Sequence, residues 1–223
     1  MTIILDMGSG ETCKNDIAQV SNMINAVDTS DPREHEIILK WQLFRGGEFE
    51  HLRALHHGVF AYAYDYARSR GYATTASVFD RPSAKFLRGF NIPFVKGACV
   101  HESRELAIGL SNSGYWDSPI VLSVDHDNRI THYSRHVTSF TENILCCVRE
   151  YPATIAQYED QFTGERLRNG ISDHTDHTKG MYLLSTYRPR IYETHFCLDS
   201  QTGPDTGPFA LRPNQLSNML EAL

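Results

Sequence analysis

The chain has 223 residues, 41% hydrophobic and 22% charged, with a formal net charge of −6. That is length enough for one sizeable core and a composition ordinary for a globular protein. No block of Lys or Arg gives a footprint for nucleic acid or a membrane surface, and no apolar run reaches the length of a membrane span.

The N-terminus, MTIILDMGSG, has a short apolar run and no basic segment, so it reads as a first strand over residues 2–7 and not as a signal peptide. Ile17, Val20, Met23, Ile24 and Val27 then recur at helical spacing, predicting a helix over 15–27. EIILKWQLF (36–44) is a second strand. The clearest helix is expected over 51–70, with Leu52, Leu55, Val59, Tyr62 and Tyr66 on one stripe and Gly71 at its end. A third strand at 74–79 and a short proline-led helix at 82–90 follow, then a fourth strand at 94–99, a helix at 102–110 and a fifth strand at 119–124. Over 125–139 the apolar residues are sparse and β-branched, which predicts a turn or hairpin in place of a helix. The alternation resumes with a sixth strand (143–148), a helix (155–162), a seventh strand (170–174), an eighth (190–198) and a closing amphipathic helix (213–223).

Eight strands with mostly helical connections predict an α/β fold, a parallel (β/α)8 TIM barrel somewhat reduced by a shortened or lost fifth helix. An open doubly wound sheet is the competitor. No linker, repeat or low-complexity tract divides residues 1–223, which are read as a single domain. The five cysteines, Cys13, Cys99, Cys146, Cys147 and Cys197, are odd in number and lack C-x-x-C spacing, fitting a reduced cytoplasmic protein.

His174 and His195 each stand near the C-terminal end of a strand-like run, 21 residues apart, about one strand–loop–helix unit. From neighbouring strand ends both rings project at one rim, where neutral imidazoles suit a borderline divalent metal and leave positions for water and substrate. Lys96 lies inside an apolar strand, and a lysine that faces inward needs a counter-charge, which points to an anion site. His177, in the echo DHTDHT, reads as a loop residue or an extra ligand; His56 and His57 read as surface or packing residues of a helix, and Cys146 and Cys147 as core packing. Asp6 is open between a structural pair and a catalytic role.

The series ILDMG, KWQLF, SVFD, FVKGAC, VLSV, CVREYP, GISDHT, ETHFCLD and TGPD, in that order, resembles the catalytic barrel of the N-acetylneuraminate (sialic acid) synthase family. The likeness runs from about Ile3 to the C-terminus and is most specific over Tyr151-Pro152, Ser172-Asp173-His174-Thr175, Glu193-Thr194-His195-Phe196 and Gly203-Pro204-Asp205. It implies a cytoplasmic transferase that condenses phosphoenolpyruvate with an N-acetylated amino-sugar aldehyde such as N-acetylmannosamine, using Mn²⁺ or Mg²⁺ and releasing phosphate. By the same resemblance His174 and His195 are the metal ligands, and these two with Asp6 are the catalytic set. Lys96 is the phosphate- or carboxylate-binding cation, Ser77, Ser123 and Ser172 are hydroxyls around the phosphate, and Gln42, Tyr151 and Asp205 are sugar-side contacts.

Three positions depart from the family pattern. Asp6 replaces a glutamate and reaches roughly 1.5 Å less far. Cys99 replaces a phosphate-binding serine and is a poorer hydrogen-bond partner. Arg149 stands for an asparagine and can grip phosphate bidentately. The family's C-terminal antifreeze-like domain has no counterpart in these residues, so either a homodimer partner or a separately encoded cap domain supplies the cap, or the sugar site is open. Two other readings stay open: a degenerate barrel that binds metal or anion beside a partner chain, and a metal-dependent lyase or hydrolase.

Overall fold

A computed structural model describes residues 1–45, 51–126 and 143–223. Eight parallel strands form a ring: β1 (Thr2–Asp6), β2 (Glu36–Leu43), β3 (Ala73–Val78), β4 (Val95–Gly97), β5 (Ile120–Val124), β6 (Ile144–Cys147), β7 (Gly170–Asp173) and β8 (Ile191–Phe196). Each pairs with the next, and β8 returns to β1 in the register Thr2↔Ile191 through Asp6↔His195. That last pairing closes the sheet and excludes the open doubly wound alternative. The fold is a (β/α)8 TIM barrel.

The surrounding helices are α1 (Gly10–Cys13), α2 (Ile17–Ser30), α3 (His57–Ser69), α4 (Arg81–Leu87), α5 (His101–Asn112), α6 (Ile155–Gln161), α7 (Gly164–Asn169), α8 (Tyr182–Tyr187) and α9 (Pro213–Glu221). No described helix is long and apolar enough to cross a membrane. Local chemistry starts several of them. Asp16 caps α2 by accepting from the Ala18 amide at 2.8 Å, Asp80 caps α4 ahead of its proline, and Thr154 with Gln157 forms a capping box at α6. The four buried residues of α2, Val20, Met23, Ile24 and Val27, lie on the stripe that the spacing predicted.

Side chains on a strand alternate faces, so inward positions recur every second residue. The lower inward layer is an apolar plug of Ile4, Ile38, Phe94, Val121, Leu145 and Ile191. Two residues further along the same strands stand Asp6, Lys40, Lys96, Ser123, Cys147 and Glu193. The outward faces of the strands pack on the helices in a second, larger apolar cluster that includes Leu5, Leu39, Trp41, Ile171, Tyr192 and Phe196.

Four expectations change. The helix predicted over 51–70 begins only at His57, because Asn15 Oδ1 accepts the His56 amide at 2.8 Å and holds that residue extended. Leu52, placed on its stripe, instead lines the central cavity. Three short helices, α1, α7 and α8, and a two-residue strand β9 (Ala210–Leu211) beside β8 were not expected, being too short to carry a period. Cys147 is not core packing: it faces the cavity, while its neighbour Cys146 packs outward, as strand alternation requires. The turn predicted over 125–139 and the lost fifth helix fall largely on 127–142, outside the described residues.

Gly170 opens β7 where there is no room for a side chain: a Cβ there would lie 2.5 Å from Leu145 Cδ2 and 2.8 Å from the Ile144 carbonyl oxygen. Its backbone is extended, so the constraint is space and not conformation. Gly170→Ala should therefore cost about 1–3 kcal/mol, read as a lowered urea midpoint at unchanged slope; an unshifted midpoint would refute this account.

Candidate active site at the C-terminal rim of the barrel

The cavity above the apolar plug has a volume of about 420 Å³ and is lined from every strand of the ring. All eleven residues singled out in the sequence line it: Asp6, Gln42, Ser77, Lys96, Ser123, Arg149, Tyr151, Ser172, His174, His195 and Asp205. Strand register is what gathers them. Asp6 lies level with Lys40 on one side and His195 on the other, Ser77 with Gln42 and Lys96, and Ser172 with Glu193.

The floor is a chain of alternating charges. Lys40 Nζ is 2.7 Å from Asp6 Oδ2 and 3.2 Å from Glu193 Oε1, and Glu193 Oε2 is 3.3 Å from Lys96 Nζ. Lys40 also donates to Ser77 Oγ at 3.1 Å, and Lys96 to Ser123 Oγ at 2.7 Å and to the Gly97 carbonyl at 3.1 Å. Burial opposes every one of these charges, and the partners decide the outcome. Against burial, Lys40 and then His195 hold the Asp6 carboxyl well below its ordinary range, and Lys40 and Lys96 hold Glu193 below its own. Asp6 and Glu193 hold the Lys40 ammonium above its ordinary value in spite of burial. For Lys96 burial prevails, helped by the like charge of Lys40, and its pKa is lowered despite Glu193.

Lys40 and Glu193 are the site residues that sequence reasoning missed. The signal was there: the argument that an inward lysine in an apolar strand needs a counter-charge applies to Lys40 in EIILKWQLF as it did to Lys96. Glu193 in IYETHF is the counter-charge both of them needed.

Above this floor sit the imidazoles. His174, just past β7, and His195, on β8, have ring centroids 5.6 Å apart. His174 Nδ1 lies 2.7 Å from the Val148 carbonyl oxygen, so Nδ1 carries the proton and Nε2 keeps its lone pair. Burial, with His195 beside it, pushes the His174 pKa down to about 3, so the ring is neutral. Tyr151 covers the pair: its ring stacks on His174 at 4.1 Å and meets His195 edge-on at 5.9 Å, while the residue itself is 53% exposed. His177 does not join them. Its Nε2 lies 2.7 Å from Thr194 Oγ1, on the other face of β8 from His195, so it is a buried structural residue.

Among the described residues, no three or more His, Cys, Asp or Glu side chains are grouped so as to hold a metal ion. What is present is a pair of imidazoles with ring centroids 5.6 Å apart, one with its free nitrogen fixed, lining the same cavity as the carboxylates of Asp6, Glu193 and Asp205. That donor set fits a divalent cation whose remaining positions are filled by water and substrate.

At the rim, Gln42 Nε2 donates to Asp6 Oδ2 at 3.1 Å and to Asp205 Oδ1 at 3.3 Å, bridging two carboxylates. Arg149 is 3.8 Å from Asp125, which also stands 3.9 Å from the buried Arg104; Arg104 Nη1 is 3.8 Å from Cys99 Sγ. The cavity therefore has cations on its floor and on one wall.

The profile of the NeuB family matches residues 45–223. The chain belongs to the NeuB family. Three solved structures share the barrel. An N-acetylneuraminic acid (sialic acid) synthetase from Leptospira borgpetersenii superposes with a TM-score of 0.74 at 17% identity, over 98% of this chain and 81% of that one. A spore coat polysaccharide biosynthesis protein E from Chromobacterium violaceum gives 0.74 at 16%, over 99% and 73%. A truncated 3-deoxy-D-arabino-heptulosonate 7-phosphate synthase from Thermotoga maritima gives 0.65 at 9%, over 100% and 84%. At these identities the likeness speaks for the fold. No curated protein matches the chain.

Removing Lys40 from this NeuB-family barrel would leave Asp6 and Glu193 buried without their shared cation. Lys40→Met should cost about 3–5 kcal/mol at neutral pH. In the native chain Asp6 and Glu193 are depressed, so their contribution is present above their unfolded values and fades as acid protonates them. In the variant both carboxyls should rise instead, and the deficit should shrink as pH falls from 7 to 5. Denaturant unfolding at the two values checks it; a deficit independent of pH would exclude unpaired carboxylates as its cause.

Proposed function

We propose that the chain is a sialic-acid-synthase-like enzyme. It would join phosphoenolpyruvate to an N-acetylated amino-sugar aldehyde, N-acetylmannosamine or a close analogue, and release phosphate. The observation that carries this reading is the placing of two buried ammonium groups, Lys40 and Lys96, under the same cavity as the imidazole pair. Family membership supports a synthase-type enzyme, and the barrel's likeness to a sialic acid synthetase and a heptulosonate phosphate synthase is consistent with it.

Phosphoenolpyruvate carries a carboxylate and a phosphate, and each needs donors. Lys96 with Ser123, Lys40 with Ser77, and Ser172 on β7 offer these around the cavity, and Arg149 offers a bidentate grip from the wall. His174 and His195 would hold the divalent cation, Mn²⁺ or Mg²⁺, which when bound supplies Lewis-acid polarisation of the aldehyde. The methylene carbon of phosphoenolpyruvate forms the new bond to the aldehyde carbon. Water adds at the oxocarbenium-like carbon that bears the phosphate, its proton is balanced by the one the aldehyde oxygen takes up, and the adduct collapses to the ketone as phosphate leaves with the bridging oxygen.

Asp6 is bonded to Lys40, to Gln42 and, at 3.0 Å, to the Gly8 amide. Held ionised, it orients and stabilises charge beside the reacting carbonyl and is a weak proton acceptor. Tyr151, half-exposed at the mouth, and Gln42 face the sugar. A homodimer partner or a separately encoded cap domain would close the mouth over it.

With Mn²⁺ and both substrates, the chain should form a keto acid and phosphate in equal amounts. His195→Ala should abolish turnover, and Lys96→Met should lower kcat/KM by about 10²–10³-fold, the cost of removing one charge-stabilising donor. No phosphoenolpyruvate binding and no turnover with any N-acetylated hexosamine would overturn the reading. Binding without turnover would favour a degenerate, ligand-binding barrel, for which the substitutions at Cys99 and Arg149 are the supporting observation.

A further inference from the structure

Asp205 lies on the turn Pro204–Thr206, where the family resemblance makes it a sugar contact. Its surroundings describe a further task. Oδ2 accepts a hydrogen bond at 2.8 Å from Oγ1 of Thr12, a residue 1% exposed on α1. With Oδ2 fixed, Oδ1 is directed at Gln42 Nε2, 3.3 Å away, and at His195 Nδ1, 3.6 Å away. That Nδ1 is the imidazole's buried polar atom with no hydrogen-bond partner among the described residues. The ring's other nitrogen, Nε2, looks towards Asp6, but 3.9 Å off, and both Asp6 oxygens are already engaged by Lys40, Gln42 and the Gly8 amide.

The Thr12–Asp205 contact also has space reserved for it. Gly8 sits at φ +74°, and a Cβ on it would lie 2.3 Å from Thr12 Oγ1 and 2.8 Å from Asp205 Oδ2. The carbonyl of the same glycine accepts the Gln42 amide at 3.0 Å, so one turn leaves room for the Thr12–Asp205 contact and holds Gln42, one of the two residues that face Oδ1.

We infer that Thr12 is a positioning residue: by holding Asp205 Oδ2 it aims Oδ1 at Nδ1 of His195 and so sets which imidazole nitrogen faces the cavity. A carboxylate behind an imidazole fixes its tautomer and raises the basicity of the opposite nitrogen, and loss of such a partner costs 10–100-fold in metal affinity or activity. His174 achieves the same end through the Val148 carbonyl. For His195 the anchor comes from α1, far away in the chain. The inference deepens the proposed function, since it concerns how one of its two imidazoles is aimed, but it does not depend on turnover.

The test uses the full chain with ¹⁵N-labelled histidine, free of metal, at one fixed pH above neutrality, with the His195 signals assigned by their loss in His195→Gln. Two-bond ¹H–¹⁵N spectra report the tautomer directly. In the native chain and in Thr12→Ser the proton should reside on Nδ1. In Thr12→Val, which keeps the shape and removes the hydroxyl, and in Asp205→Asn, it should redistribute to a mixture. Mn²⁺ affinity by calorimetry should fall roughly 10–100-fold in Thr12→Val and recover in Thr12→Ser, while phosphoenolpyruvate affinity stays unchanged. An unchanged tautomer in Thr12→Val, or in Asp205→Asn should the first variant not fold, overturns the inference. A redistributed tautomer in a chain that binds neither Mn²⁺ nor phosphoenolpyruvate would uphold the positioning role and sink the proposed function instead.

Discussion

Everything at the top of this barrel depends on one buried line of charge, Asp6–Lys40–Glu193–Lys96. Four formal charges stand in the interior, on β1, β2, β8 and β4, with no more than 7% of any of these side chains exposed. None is tolerable there alone, because stripping water from a single ion costs several kcal/mol or more. Together they sum to zero, and each ammonium is shared with a serine hydroxyl from a neighbouring strand. A one-residue slip of β1, β2 or β8 would turn its charge outward into the helix layer and strand its partners. The chain therefore fixes register in the ring as firmly as the apolar plug beneath it does.

The division of the interior into two storeys follows from alternation and position. Ile4 and Asp6, Ile38 and Lys40, Phe94 and Lys96, Val121 and Ser123, Leu145 and Cys147, Ile191 and Glu193 are successive inward positions of the same strands. Apolar residues fill the lower storey, where no solvent arrives, and polar ones the upper, where the cavity meets water. The plug offsets the cost of the layer above it: each fully buried aliphatic side chain contributes about 1.5–3 kcal/mol. The polar groups thus stand on a close-packed apolar base and look into the cavity from it.

On that base the two histidines are aimed by different means. His174 takes its orientation from the backbone of the strand beside it, through Val148, and no substitution at 148 removes a carbonyl. His195 relies on a side chain, Asp205, that is itself held from α1. On the wall of the cavity Cys99 faces a buried guanidinium, Arg104, and Arg149 leans on Asp125. These groups form a wall beside the charged floor and the imidazole pair, which make a set of their own.

The sequence by itself determined the strands and most of the longer helices, because alternating and helical periods are local properties of the chain; that the strands close into a ring was settled by the β8–β1 pairing. It also marked His174, His195 and Lys96, each conspicuous at a strand end or within an apolar run. Residues 51–56 deceived it: the apolar spacing is helical, but a distant asparagine side chain captures the His56 amide and delays the helix. Lys40 and Glu193 were legible in kind, as charges inside apolar strands, yet not as partners, since they stand on either side of β1 and only closure of the barrel brings them together across 153 residues of chain. Which side chains share a cavity, which nitrogen of an imidazole is free and which carboxylate stays ionised were decided only by closure of the barrel. Those properties depend on distances of a few ångströms between strands remote in sequence, and no local period encodes them.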